Sequence, residues 1–141
     1  MTAIAVIPAR FASTRFPGKP LARKTGRYLI QHVYDRVSRA HSVERTVVAT
    51  DDERIAAAVR SFGGQVVMTR PDHPSGTDRV AEVAAGLQCE VIVNVQGDEP
   101  EIEPAAIDRV VGLLGQHGDC PVATLACPFS KVPQADPADP A

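Results

Sequence analysis

The chain alternates between two hydrophobic rhythms. Short apolar runs rich in β-branched residues, at residues 3–7, 45–49, 65–68 and 91–95, read as strands. Between them, apolar residues return every three or four positions, the period of a half-buried helix. Residues 28–38 carry Leu29, Val33 and Val37 at this spacing, with Ile30 and Tyr34 beside them. After the second strand, Asp51 or Asp52 stands where a helix N-cap is needed. Ile55, Ala56 and Val59 then form an apolar face, and Gly63 and Gly64 supply the stop. Residues 77–87 read as a third helix with Val80, Val83, Ala84 and Leu87 facing inward, and Ser75 or Thr77 is its cap. Pro104 suits the first turn of a fourth, which continues through Ile107, Val110, Val111 and Leu114. Residues 122–126 are a candidate fifth strand. The run at 91–95 has little polar alternation, as expected of a strand covered on both faces.

The order βαβαβαβαβ, with right-handed crossovers, implies an α/β fold: a mostly parallel sheet between helices on both faces. Residues 1–131 form one domain, and the Pro/Ala/Asp-rich stretch 132–141 has no core-forming pattern and reads as a linker or cut end. In sheets of this kind a ligand lies beyond the carboxyl ends of the strands, where the strand order reverses. The unusual polar segments of this chain follow strands one, three and four, so all three are expected to face one cleft.

Composition narrows the function. A formal net charge of -2 argues against a general nucleic-acid binder, and the scarcity of aromatic residues removes stacking platforms for single strands. No apolar run approaches the length needed to cross a bilayer, and the first residues lead straight into a strand without the pattern of a signal peptide; the expectation is a cytoplasmic protein with no membrane partner. Cys89, Cys120 and Cys127 are odd in number and lack CxxC spacing, and read as reduced structural thiols. His32, His41 and His117 have no ligand-type neighbours at metal spacing, so no function attaches to them.

The first polar segment, Pro8-Ala-Arg-Phe-Ala-Ser-Thr-Arg-Phe-Pro-Gly-Lys-Pro20, concentrates Arg10, Arg15 and Lys19 in one loop. Two guanidinium forks and a mobile ammonium suit phosphate oxygens, Ser13 and Thr14 add hydroxyl donors, and Gly18 lets the backbone come close. The alternative for such a cluster is a solvated basic loop. It is not a Walker loop, because GxxxxGK[ST] is absent, and the lack of GxGxxG argues against a dinucleotide protein. The second segment, Met68-Thr-Arg-Pro-Asp-His-Pro-Ser-Gly-Thr-Asp-Arg79, places a small polar turn at a helix N-terminus, where anions or carbonyl oxygens are favoured. Within it, Asp78 and Arg79 read as a surface pair of little energetic weight and His73 as structural. The third segment, Asn94-Val-Gln-Gly-Asp-Glu-Pro100, delivers acids to a strand end. Asp98 is the candidate Mg²⁺ ligand, since that ion takes a few hard oxygens plus water and substrate phosphate. Gln96 is the candidate contact to an acceptor sugar, and Glu99 supports the loop. Asp51, in Ala49-Thr-Asp-Asp-Glu-Arg54, reads as a helix cap rather than a ligand contact.

These strings, in this order, resemble the signatures of the 3-deoxy-manno-octulosonate (KDO) cytidylyltransferases over nearly the whole chain. The resemblance implies a truncated Rossmann-like nucleotidyltransferase fold, CTP and KDO as substrates, CMP-KDO and pyrophosphate as products, Mg²⁺ as cofactor, and a place in lipopolysaccharide biosynthesis. It implies that Pro8, Ala9, Arg10, Ser13 and Lys19 hold the triphosphate, with Arg10, Arg15, Lys19 and Asp98 acting in catalysis. Arg70, Ser75 and Gly76 would recognise the nucleotide, Asp98 the metal and Gln96 the sugar acid. Family members continue well past this length as homodimers, so a fragment with weak or no activity of its own is expected. Two alternatives remain: a sialic-acid type of cytidylyltransferase using the same loops, and a non-catalytic nucleotide-binding module, against which Asp98 speaks because simple binding needs no metal carboxylate.

Overall fold

The computed structural model describes residues 2–12 and 16–126. Strands β1 (Ala3–Pro8), β2 (Val43–Thr50), β3 (Gln65–Met68) and β4 (Val91–Asn94) are all parallel and lie in the order β3-β2-β1-β4. Helices α1 (Leu29–Val37), α2 (Glu53–Ser61), α3 (Gly76–Ala85) and α4 (Pro104–Gln116) connect and follow them. The chain steps outward from β1 through β2 to β3, then returns across the sheet to place β4 on the other side of β1. The strand order therefore reverses between β1 and β4.

The pleat explains the layers. Side chains of successive strand residues point to opposite faces, and every residue of β1 is buried, so this strand is apolar throughout. Ala3, Ala5 and Ile7 meet α1, α2 and α4 through Ile30, Val33, Val37, Ile55, Val59, Ile107 and Val111. Ile4 and Val6 turn the other way, with Val47 and Ala49 of β2, onto Val80 and Val83 of α3. Three helices thus cover one face and α3 the other. The outermost strand, β3, keeps Val67 and Met68 exposed.

Local chemistry sets the helix limits. Asp52 is the N-cap of α2, its Oδ1 accepting from the backbone N–H of Arg54 at 2.8 Å and of Ile55 at 3.4 Å. Asp51, the other capping candidate, instead lies 3.6 Å from the guanidinium of Arg79. Beyond α2, Gly63 takes φ 81°, a region costly for residues with a Cβ. Ser75, not Thr77, caps α3, accepting from Asp78 N at 3.2 Å. Helix α3 stops at Ala85, two residues before the sequence-based limit, and Leu87 still packs against the α3 face of the sheet.

The expected fifth strand does not form: residues 122–126 carry no regular structure, and Val122 is 78% exposed. A β-branched run becomes a strand only when it gains a ladder partner and a surface to pack on, and among the described residues this segment pairs with no strand. Cys89 and Cys120 are free thiols, but both are exposed rather than packed as core residues. Cys127 lies outside the described residues, as does the whole of the predicted tail, 132–141.

Candidate active site

The reversal of strand order brings three chain segments to one rim. Pro8 ends β1, Gly76 begins α3, and Gln96 and Gly97 follow β4. A Cβ built on Gly76 would lie 3.2 Å from Pro8 Cγ and 3.9 Å from Gln96 Oε1, and one built on Gly97 would lie 3.1 Å from the carbonyl oxygen of Pro8. Glycine at both positions lets these segments pack closely, Gly97 directly against the Pro8 backbone. The ladders tie the same rim together: Ala9 N donates to Ala49 O at 2.9 Å and Val95 N to Val6 O at 3.1 Å.

From this rim rises the loop after β1. Gly18 N donates to Phe11 O at 2.8 Å and closes it, with Gly18 in the left-handed region at φ 70°. The ring of Phe11 lies under the guanidinium of Arg54, whose Cζ is 3.3 Å from the ring centroid. A 3₁₀ turn, Lys19–Leu21, follows, and Leu29 N donates to Ala22 O at 2.8 Å to lead into α1. Lys19 Nζ comes within 3.6 Å of Asp98 Oδ2, with side chains 48% and 57% exposed. The cation of the first segment and the acid of the third therefore share one site, although they are 79 positions apart in the chain. Arg10 is exposed at the base of the loop, and Ala9 is buried beside it. Ser13 and Arg15 lie outside the described residues, as does Thr14.

The segment between β3 and α3 is held by two residues of α3. Arg79 is buried, donates to Thr69 Oγ1 and, at 3.1 Å, to Arg70 O, and faces Asp51 at 3.6 Å. It is not the surface partner of Asp78 that sequence adjacency implied. Consecutive helical residues point about 100° apart, so Asp78 turns to Ser75 Oγ (2.5 Å) while Arg79 turns inward. Glu82 accepts from Arg70 N and His73 Nε2, both at 3.2 Å. Partial burial pushes the Glu82 carboxyl up, but the Arg70 N–H, the His73 ring and the Arg70 charge outweigh it and hold the group below its ordinary pKa. Arg70 lies 3.4 Å from Glu82 and 3.5 Å from Asp72, with most of its side chain exposed. Arg70 and Ser75 are thus engaged with α3, whereas Pro8, Gly76, Gln96, Gly97, Lys19 and Asp98 form the rim itself. The roles of Arg79 and Glu82 were not legible in sequence; the one available signal was their three-residue spacing on one helix.

The donor set at the rim fits a cation carried in by a polyphosphate rather than a resident one. Asp98 is a single, half-exposed carboxylate, and no group of three or more acids, histidines or cysteines arranged to hold a metal occurs among the described residues. Mg²⁺ bound through one or two carboxylates, with water and phosphate filling its other positions, needs no more than this. Lys19 and Asp98 neutralise one another here, and an exposed pair of this kind contributes only ~0–1 kcal/mol, so an arriving anion and cation separate it at little cost.

Residues 4–135 match the family model described as cytidylyltransferase. The chain is 58% identical over 89% of its length to a 3-deoxy-manno-octulosonate cytidylyltransferase of Geobacter sulfurreducens, covering 50% of that protein. It is 56% identical over 92% of its length to one from Syntrophotalea carbinolica, covering 52% of it. Among solved structures, a CMP:2-keto-3-deoxy-manno-octonic acid synthetase complexed with CTP superposes with a TM-score of 0.81 at 44% identity, over 84% of this chain and 49% of that one. The chain spans about half the length of the curated relatives it matches.

Proposed function

Since the chain belongs to the cytidylyltransferase family, we propose that it is the nucleotide-binding half of an enzyme that joins CMP from CTP to the acid sugar KDO. The approach of Lys19 to Asp98 beside the Pro8–Gly76–Gly97 rim carries this reading. A phosphate-seeking cation and a metal-type carboxylate at one point suit a triphosphate whose Mg²⁺ sits between them. The names of the 54–58% identical relatives support CTP and KDO over a sialic acid.

In the proposed reaction the anomeric hydroxyl of KDO attacks the α-phosphorus of CTP. A new C–O–P bond forms, the bond to the β-phosphate breaks, pyrophosphate leaves, and the hydroxyl proton passes to solvent. Lys19 and Arg10, with Arg15 from the same loop, neutralise charge growing on the phosphate oxygens, an electrostatic contribution that fixed donors supply without reorganisation. Gly76 and Gly97, by letting their segments pack closely on Pro8, form the floor on which phosphate and ribose rest. Arg70, Ser75 and Gly76 hold the nucleoside, and Gln96 orients the sugar acid. Mg²⁺, held by Asp98 and substrate phosphates, would add charge neutralisation and alignment. In this reading the protein serves lipopolysaccharide assembly in the cytoplasm, and acts as a homodimer when the second half is present. No helix among the described residues is long and apolar enough to cross a membrane.

Calorimetry with CTP and UTP, joined to a pyrophosphate-release assay with KDO, tests this reading. The expected result is CTP-selective binding that weakens in Lys19→Ala, with slow or no turnover by this chain alone. Equal binding of both nucleotides, or none, would overturn the nucleotide assignment. Rapid turnover by the 141-residue chain would overturn the need for a second half.

A further inference from the structure

The half-exposed Lys19–Asp98 pair is too weak to hold its own geometry. The turn carrying Asp98 must therefore be fixed elsewhere, and α1 supplies the contacts. Arg36, in the last turn of α1, donates through Nε to Ile102 O at 3.0 Å and through Nη2 to Glu101 O at 3.2 Å and Glu103 Oε1 at 3.3 Å. Near the other end of α1, Ile30 is buried and lies 3.7 Å from where a Cβ on Gly97 would sit. The segment between these anchors is short and stiff. Ile102 N donates to Glu99 O at 3.2 Å, and Pro100 and Pro104 fix their own φ angles. The same helix receives the Lys19 turn at its start, through Leu29 N to Ala22 O.

We infer that Arg36 is a positioning residue: from the far side of α1 it straps residues 101–103 so that Asp98 is held at the distance from Lys19 that a metal–triphosphate requires. The function of the strap rests on the nucleotide-transfer reading above, but its existence does not. A planar fork suits two successive carbonyl oxygens, and an ammonium can meet only one of them at good geometry. The Glu103 ion pair is secondary, because that carboxylate is exposed and the two carbonyls fix the backbone directly.

Hydrogen exchange and CTP titration, on the wild type and on Arg36→Ala, Arg36→Lys, Glu103→Gln and Asp98→Ala, test the strap. In Arg36→Ala, the amide of Ile102, which donates to Glu99 O at 3.2 Å, should exchange faster while those of β1 keep their protection. The Mg²⁺ concentration that half-maximally enhances CTP binding should rise about tenfold or more, the usual consequence of losing a residue that orients a metal ligand. Arg36→Lys should fall between, Glu103→Gln should stay within about twofold of the wild type, and CTP affinity without Mg²⁺ should be unchanged in the Arg36 and Glu103 variants. Unchanged exchange at Ile102 in Arg36→Ala overturns the strap, and so does uniform acceleration across the sheet, which marks a general stability effect. Faster local exchange together with CTP binding that ignores both Mg²⁺ and Asp98→Ala upholds the strap and overturns the metal assignment instead.

Discussion

Replacing Gly18 by alanine tests how the loop that presents Lys19 is built. Gly18 sits at φ 70°, ψ 18°, where an L-residue with a Cβ costs about 1–2 kcal/mol. The added methyl would also lie 2.8 Å from Phe11 Cε2 and 3.1 Å from Cζ, inside contact distance. The far end of a phenylalanine can swing away, but this ring lies under the Arg54 guanidinium at 3.3 Å, and moving it gives up an exposed cation–π contact of about 0.5–1 kcal/mol. The sum, about 1.5–3 kcal/mol, falls first on the loop, which the Gly18 N to Phe11 O bond closes. The measurement is native-state hydrogen exchange at Leu21, whose amide donates to Gly18 O at 2.9 Å. Local opening easier by that energy speeds exchange there roughly ten- to hundredfold while β1 amides are unaffected. Gly18→Asn, which tolerates the left-handed region better but carries the same Cβ, should fall in between. An unchanged Leu21 rate in Gly18→Ala would refute both the backbone and the contact arguments.

Two further outcomes follow from the carboxylates. Asp52→Ala removes the α2 cap and should cost about 1 kcal/mol in urea unfolding; it also frees Arg54, now bound to Asp52 through Nε at 3.1 Å and Nη2 at 2.7 Å, so the Phe11 contact should loosen. Asp108 accepts from Ser42 N at 2.7 Å, Ser42 Oγ at 2.6 Å and His41 N at 3.1 Å, and although burial pushes its pKa up, these donors outweigh it and hold the group below its ordinary value. Its contribution is therefore complete above the unfolded carboxyl pKa of about 3.9 and is lost as pH falls through the lower folded value; Asp108→Asn should be less stable at pH 7 and show a shallower acid limb.

What the sequence revealed depended on whether the cause was local. The strands at 3–7, 65–68 and 91–95 were readable within a residue because each is a short, β-branched apolar run; burial of every residue explains this for β1, whereas β3 lies at the sheet edge and stays largely exposed. The second strand begins two residues earlier than its apolar pattern, at Val43, because pairing with β1 extends through Glu44 and Arg45, whose side chains are exposed. The run at 122–126 has strand chemistry, yet strand formation is a property of a pair. Asp51 and Asp52 were equivalent as caps in sequence, and only the position of the first turn chose Asp52. At the rim, the strand-end rule brought the three polar segments together, but the ties that hold them, Arg36 to residues 101–103 and Arg79 to residues 69–70, join positions that no local pattern relates.

The most direct measurement is a crystal structure of this chain with CTP and Mn²⁺ in place of Mg²⁺, read by the anomalous signal of the metal. The account predicts a Mn²⁺ peak within coordination distance of Asp98 and of the triphosphate, with Lys19 turned from Asp98 onto a phosphate oxygen. A triphosphate bound away from the Pro8–Gly97 rim, or a metal with no oxygen of Asp98 in its shell, would contradict it.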